Sequence, residues 1–342
     1  DLSVRVKPHK DTGCMVLDND SVEEVEQLLE EQSVKLGRVK GSVFARAHAS
    51  DVKQWEQWLD GTREAMRMWV QVQAEWMYME PVYTAGEIAH TLHAEATRFA
   101  QLDAQWRALM RDACVDLRVR ALSALPHLSS LLSSLQHDLN LLHKSLQQYL
   151  AVKRDALPRL YFLSDEHLLA LLGHSTAQAA APQLQQCFEG ISSLAVEADV
   201  VRAIISREGE RLPLLVGVDV RDARGQAERW VGELESRMRE SVAEHISKAI
   251  RAFTVTQRNS WMFDWPAQVV LCVNHLLWTQ AVSECLSAES QIPQAMAALM
   301  QRLTSELASV VALVRQPQSA LNTVLLSALL GRLLLAAFQR IA

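Results

Sequence analysis

Between Leu128 and Leu150 the chain places leucine at Leu128, Leu131, Leu132, Leu135, Leu139, Leu142, Leu146 and Leu150. At 3.6 residues per turn these positions form one unbroken apolar seam, which other helices must cover. Pro126 stands near the start of the run and Pro158 beyond its end, where a missing N–H is tolerated. The same period runs through Val52, Trp55, Trp58, Leu59, Met66, Trp69, Val70, Trp76 and Met77. Only Gly61 weakens that run, and Pro81 is expected to end it. A third stripe covers Ile88 to Val119. Long amphipathic helices on short connections predict a mainly α chain of stacked helical bundles. No internal period of roughly 20–50 residues stands out, so a regular solenoid is not expected.

Two stretches depart from the helical pattern. Leu2, Val4 and Val6 alternate with polar residues, Pro8 to Gly13 supply turn chemistry, and Cys14 to Leu17 resumes an apolar run, so a short N-terminal hairpin is expected. Asp20 or Ser21 would then cap a helix bearing Val22, Val25, Leu28 and Leu29. From Gly190 to Gly225 the composition turns β-branched, with Ile191–Val196, Val200–Ile205 and Leu212–Val220 separated by Gly209, Pro213 and Gly217. That predicts a small β insertion. Helix resumes from Ala227, begins again after Trp265-Pro266, and continues from Pro293 with a break at Gln316-Pro317. The expected organisation is 1–48, hairpin and helix; 49–189, first helical bundles; 190–226, β insertion; 227–342, C-terminal bundles.

Composition narrows the function. With 12 glycines and 9 prolines in 342 residues, both fall below their usual ~7% and ~5%, against a β-sandwich or a glycine-rich nucleotide fold. Lys plus Arg number 34 against 40 Asp plus Glu, a net charge of −6, so there is no cationic excess to displace counterions from nucleic acid. Five widely spaced cysteines without a C-x-x-C pair predict neither a disulfide framework nor a zinc site and fit a reducing compartment. The N-terminus has no signal-peptide pattern and no methionine, the expectation being a piece of something longer. Val324 to Ile341, interrupted by Arg332 and Arg340, reads as a buried or docking helix rather than a membrane span, its apolar residues too many for one face and Leu329 and Leu333 among those expected to pack.

Reactive constellations are missing from the pattern. There is no G-x-S-x-G elbow and no Gly-Lys-Ser/Thr that could close a P-loop. His90 and His93 lie a turn apart with Glu95 near, yet no third ligand stands out, and the plainer reading is a satisfied or exposed pair. His137 and His143 fall on different faces of the leucine helix. Asp165-Glu166-His167 follows Ser164 and is better explained as a first helical turn whose charge suits the dipole. The nine tryptophans serve mainly as bridges between helices. Trp265, beside Pro266, is the position most open to a partner-facing role.

Several segments, taken in order, carry a resemblance. Trp69 to Tyr83 reads W-V-Q-V-Q-A-E-W-M-Y-M-E-P-V-Y, Phe99 to Met110 reads F-x-x-x-D-x-x-W-x-x-x-M, and Leu146 to Leu169 contains the lysine–arginine pair, proline–arginine and Y-F-L-S. Gln183 to Ile191, Ser206 to Glu210, Trp230 with Met238, and Arg258 to Cys272 continue the series. In register across roughly residues 50 to 285, the chain resembles the linker domain of dynein heavy chains, with Glu80-Pro81 more like the axonemal type. Departures are leucine at 157 and 160 where phenylalanine is common, His93 for a common proline, and His167 where glutamate would complete a capping box with Ser164.

The resemblance implies an elongated, arched stack of helical bundles with a small β insertion, a mechanical arm that bends and straightens across a ring of AAA+ modules, driving a minus-end-directed stroke on microtubules. It implies no catalytic residue, metal or cofactor here. ATP and Mg belong to the ring, and the implied partners are that ring, the microtubule indirectly and dynein tail subunits upstream, with neither nucleic acid nor membrane. The implied location is cytoplasm and cytoskeleton, in the axoneme of a cilium or flagellum. Gly190, Gly209, Pro213, Gly217 and Gly225 are the candidate hinge, because only that stretch combines glycines, a proline and short strands. Tyr161, Phe162, Trp261 and Trp265 are candidate contacts to ring or partner. A non-motor cytosolic scaffold or tether is the rival reading, and an enzyme comes third.

Overall fold

The computed structural model describes residues 2–10, 12–84, 87–173, 176–221, 226–287 and 291–338. It is mainly α-helical with a small β insertion, and it divides into two compact units, residues 1–155 and 156–342. The division falls in the last turn of the leucine helix. Residues 156–189, the insertion and the C-terminal helices thus share one unit, where the sequence suggested boundaries at 189/190 and 226/227.

The first unit opens with β1 (Val6–His9) and β2 (Cys14–Leu17), antiparallel with Val6 opposite Leu17 and His9 opposite Cys14. The strand starts later than the alternation of Leu2, Val4 and Val6 suggested. Residues 2–4 pair elsewhere: Val4 N–H donates to Leu117 O and Val119 N–H to Leu2 O. Helix α1 (Asn19–Lys40) is preceded by Asp18 as its cap residue, not Asp20 or Ser21. Ser21 is buried and its hydroxyl serves backbone instead, donating to Asp18 O and accepting from Arg5 N–H.

Helix α2 (Ala49–Thr84) follows a 3₁₀ segment at Val43–His48 and runs through Pro81 for one more turn. Proline withdraws one backbone donor there. Tyr83 offsets that loss: its ring stacks on Phe99 at 5.5 Å and its hydroxyl donates to Leu142 O at 3.3 Å. The stripe from Ile88 to Val119 is broken rather than continuous, running over α3 (Glu87–Thr91) and α4 (His93–Ala113) to the first residue of α5 (Val119–Ser123). The first break is at Leu92, with φ −104° and ψ 57°. His93 is therefore the first residue of α4, the position where proline is favoured. Helix α6 (Leu128–Ala156) buries Leu128, Leu132, Leu135, Leu139, Leu142, Leu146 and Leu150, as its spacing required.

Trp69, Trp76 and Trp106 are fully buried in this unit. Trp76 stacks on Trp106 at 5.7 Å and donates from Nε1 to Asp103 Oδ1 at 3.0 Å. The Gln73 side chain, on the same face of α2, accepts from Leu17 N–H at 2.7 Å and donates to Leu17 O at 2.9 Å. An amide thus completes the backbone pairing of the free edge of β2.

The second unit contains a 3₁₀ turn (Pro158–Phe162), α7 (Asp165–Gly173), α8 (Ala181–Cys187), β3 (Ser193–Glu197), β4 (Val200–Ile205) and β5 (Arg211–Asp219). After these come α9 (Ala227–Phe253), α10 (Arg258–Trp261), α11 (Ala267–Leu286), α12 (Ile292–Val314) and α13 (Ala320–Phe338). Trp261, Met262, Val269, Val270, Val273, Leu303, Val310, Leu326 and Leu329 form the core of its helical part. By length and composition α11 and α12 could each cross a membrane, which the sequence suggested only for, and then withheld from, residues 324–341. In the fold they pack on each other and on neighbouring helices around that core. Leu325, Leu326 and Leu329 of α13 are buried; the Leu333 side chain lies outside the described residues.

Candidate hinge and docking surfaces

The insertion is a three-stranded antiparallel sheet in the order β3-β4-β5. Its β4–β5 turn is built by local chemistry. Ser206 N–H donates to Glu210 O, Gly209 N–H to Ser206 O, and Gly209 adopts φ +85°, which glycine allows without strain. Further along, pairing jumps from Val201 opposite Val218 to Ala203 opposite Pro213, so β5 carries a bulge between them. Leu215 and Val216 on that bulge are about half exposed. Helix α9 supports it: the buried Ser241 hydroxyl accepts from Leu215 N–H at 3.0 Å, and His245 Nε2 lies 3.4 Å from Pro213 O.

Three of the five candidate hinge residues have a definite setting. Gly209 makes the turn and Pro213 sits inside β5. A Cβ at Gly217 would lie 2.5 Å from Val200 Cγ1 and 3.2 Å from Val201 O. Gly190, just before β3, has open space and no positive φ. Gly225 lies outside the described residues. Gly217→Ala is expected to force β4 and β5 apart and destabilise the second unit by about 1–3 kcal/mol. Chemical denaturation followed by tryptophan fluorescence measures it, and an unchanged midpoint would show that Val200 yields without loss.

Among the four candidate contact residues, Tyr161 and Phe162 are 61% and 70% exposed, adjacent on the 3₁₀ turn. The turn is held from beneath. Leu160 is fully buried, and the Arg159 guanidinium meets Glu235 Oε2 at 2.9 Å, donates to Cys187 O at 3.1 Å and covers the Phe188 ring at 4.6 Å. The Arg159 hydrogen bond, reinforced by Arg239, holds the Glu235 carboxyl below its usual range against the opposing effect of burial. A carboxylate depressed in the fold stabilises above its unfolded pKa of ~4.3, and that contribution is lost as pH falls through the folded value. Arg159→Met is expected to remove about 1–3 kcal/mol at pH 7 and less at pH 3. Urea titrations at the two pH values test it; an equal loss at both would mean the ion pair is not the source.

Trp261 corrects an expectation. It is fully buried, donates from Nε1 to Ala249 O at 2.9 Å and meets Phe253 edge-on at 5.1 Å. It is a core residue that cannot reach a partner without unfolding. Trp265 is half-buried, edge-on to His245 at 6.2 Å. The corner it occupies is pinned by Glu210, whose carboxylate accepts the Ala267 N–H at the start of α11. Sequence reasoning overlooked this charge at a helix N-terminus, and with the two partners 57 residues apart no local pattern announces it.

His90's side chain lies outside the described residues, and among those described no group of three or more His, Cys, Asp or Glu is placed to hold a metal ion. His167 still takes part in capping α7: Ser164 Oγ accepts from its N–H at 3.3 Å and lies 2.9 Å from its Nδ1. Half of the box is kept, and the imidazole turns back onto the hydroxyl.

The residues that carried the resemblance coincide with the packing just described. Trp69, Trp76 and Tyr83 on α2 are buried, as are Phe99, Trp106 and Met110 on α4, while Asp103 holds the Trp76 indole. Residues 1–249 match the family model described as dynein heavy chain, N-terminal region 2. This chain belongs to the dynein heavy chain family. It is similar to mouse dynein axonemal heavy chain 12, 31% identical over 331 residues, which are 96% of this chain and 11% of that protein. Human dynein axonemal heavy chain 1 is 32% identical over 327 residues, 95% of this chain and 8% of its own length. Mouse dynein axonemal heavy chain 3 is 29% identical over 309 residues, 90% and 7%. The chain thus spans about a tenth of these heavy chains and corresponds to their N-terminal region.

Proposed function

We propose that this chain is the linker of an axonemal-type dynein heavy chain, a lever arm that bends and straightens across an AAA+ ring during the ATP-driven stroke along a microtubule. The observation that carries the reading is the collinear match to the N-terminal region, in which the family motifs are the core residues of helices α2 and α4. In this reading the segment itself performs no catalysis and holds no cofactor; ATP and Mg act in the ring of the parent chain, within the axoneme of a cilium or flagellum. Close-packed leucine and tryptophan seams supply the stiffness a lever needs. Tyr161 and Phe162, exposed on an anchored turn, are the surface offered to the ring or to a tail subunit.

Compliance is placed at the margin of the β insertion, at Gly190. Gly209, Pro213 and Gly217 are taken up by turn, strand and close approach, whereas Gly190 answers no such local demand. The test uses the parent motor with Gly190→Val. Gliding velocity is expected to fall while ATPase of the ring is largely kept. Normal gliding in Gly190→Val would remove the hinge from that position, and a parent chain without ATPase activity would remove the lever.

A further inference from the structure

Outside these surfaces, the first unit holds two thiols in one cavity. A space of about 290 Å³ is lined by Gly13, Cys14, Met15, Arg107, Met110, Arg111 and Cys114. Positions 107, 110, 111 and 114 form one face over the last two turns of α4, and the hairpin lies against that face. Arg107 fixes the register by donating to Thr12 O at 2.9 Å and pairing with Asp103 at 2.8 Å. Cys14, first residue of β2, is buried; Cys114, at the C-terminal cap of α4, is exposed, and both thiols are free.

We propose that Cys14 and Cys114 are a redox-sensitive pair whose disulfide clasps the N-terminal hairpin to α4. The oxidant named is hydrogen peroxide. The exposed Cys114 thiolate attacks one peroxide oxygen, giving a sulfenic acid and hydroxide, which takes a proton to become water. The Cys14 thiolate then attacks the Cys114 sulfur, forming the S–S bond and expelling a second hydroxide as water. Each sulfur gives up one electron, and peroxide accepts the two. Burial raises both thiols above their ordinary range, so the reaction quickens as the medium becomes more alkaline. Closing a loop of roughly one hundred residues restricts the unfolded chain, and the bond locks a hairpin otherwise held by hydrogen bonds and packing.

The test treats the purified chain with hydrogen peroxide at pH 8 and maps peptides without reduction. The expected product is a Cys14–Cys114 linked peptide, reversed by dithiothreitol and absent in Cys114→Ser, an exposed position whose replacement leaves the fold intact. Amide exchange at residues 14–17 is expected to slow at least tenfold in the oxidised chain. Three results would overturn the proposal: Cys114 driven to sulfinic acid while Cys14 stays a thiol, a link involving Cys187, Cys272 or Cys285 instead, or a linked protein whose hairpin exchanges at the original rate.

Discussion

Trp76→Ala is expected to unfold the first unit near physiological temperature, with a loss of about 3–5 kcal/mol. The indole is fully buried, stacks on Trp106, meets His9 edge-on at 5.3 Å and lies under the Arg107 guanidinium at 5.9 Å. Truncation empties that volume and strips Asp103 of its Nε1 donor, leaving a carboxylate at 18% side-chain exposure with Arg107 alone. For a unit of this size each kcal/mol corresponds to about 2–4 °C, so the melting midpoint should fall by about 6–20 °C. Trp76→Phe, which keeps part of the stack and loses the hydrogen bond, should fall between. A Trp76→Ala chain melting within a degree or two of the parent would mean that this cluster does not organise the unit.

The second large effect is expected at Leu329→Glu in α13. Leu329 is 2% exposed and belongs to the cluster with Trp261, Leu303, Val310 and Leu326. A carboxylate there would be buried in an apolar cluster, and its desolvation penalty adds to the lost leucine packing, together about 3–5 kcal/mol. The variant should be insoluble or lose the near-ultraviolet dichroism that Trp261 acquires in a fixed environment. Val324→Glu on the same helix, at a residue 54% exposed, should behave like the parent. A soluble, natively folded Leu329→Glu chain would show that α13 does not pack as described.

Helical period made most of the architecture legible. The leucine seam of α6 and the tryptophan stripe of α2 are strong because each residue reports the same face, so one irregular position cannot mislead. Local chemistry was less legible where tertiary contacts override it. Pro81 reads as a helix end, yet Tyr83 has partners on two other helices that carry α2 onward. Leu92 breaks a stripe whose apolar positions continue on both sides, and periodicity alone does not register a change of axis. Trp261 shows the limit for candidate contacts: an indole next to a loop looks the same in sequence whether it faces a core carbonyl or a partner. Gln73 lies on an apolar stripe, which is a usable signal for a buried amide with backbone partners, but nothing local says that those partners are at Leu17.

The Glu210–Ala267 hydrogen bond ties a sheet turn to the first residue of α11. Any displacement of that turn must therefore either break a charge-assisted bond or carry the start of α11 with it. The turn and the start of α11 are thus coupled through one contact, and Glu210→Gln, which takes the charge from the acceptor, is expected to loosen it.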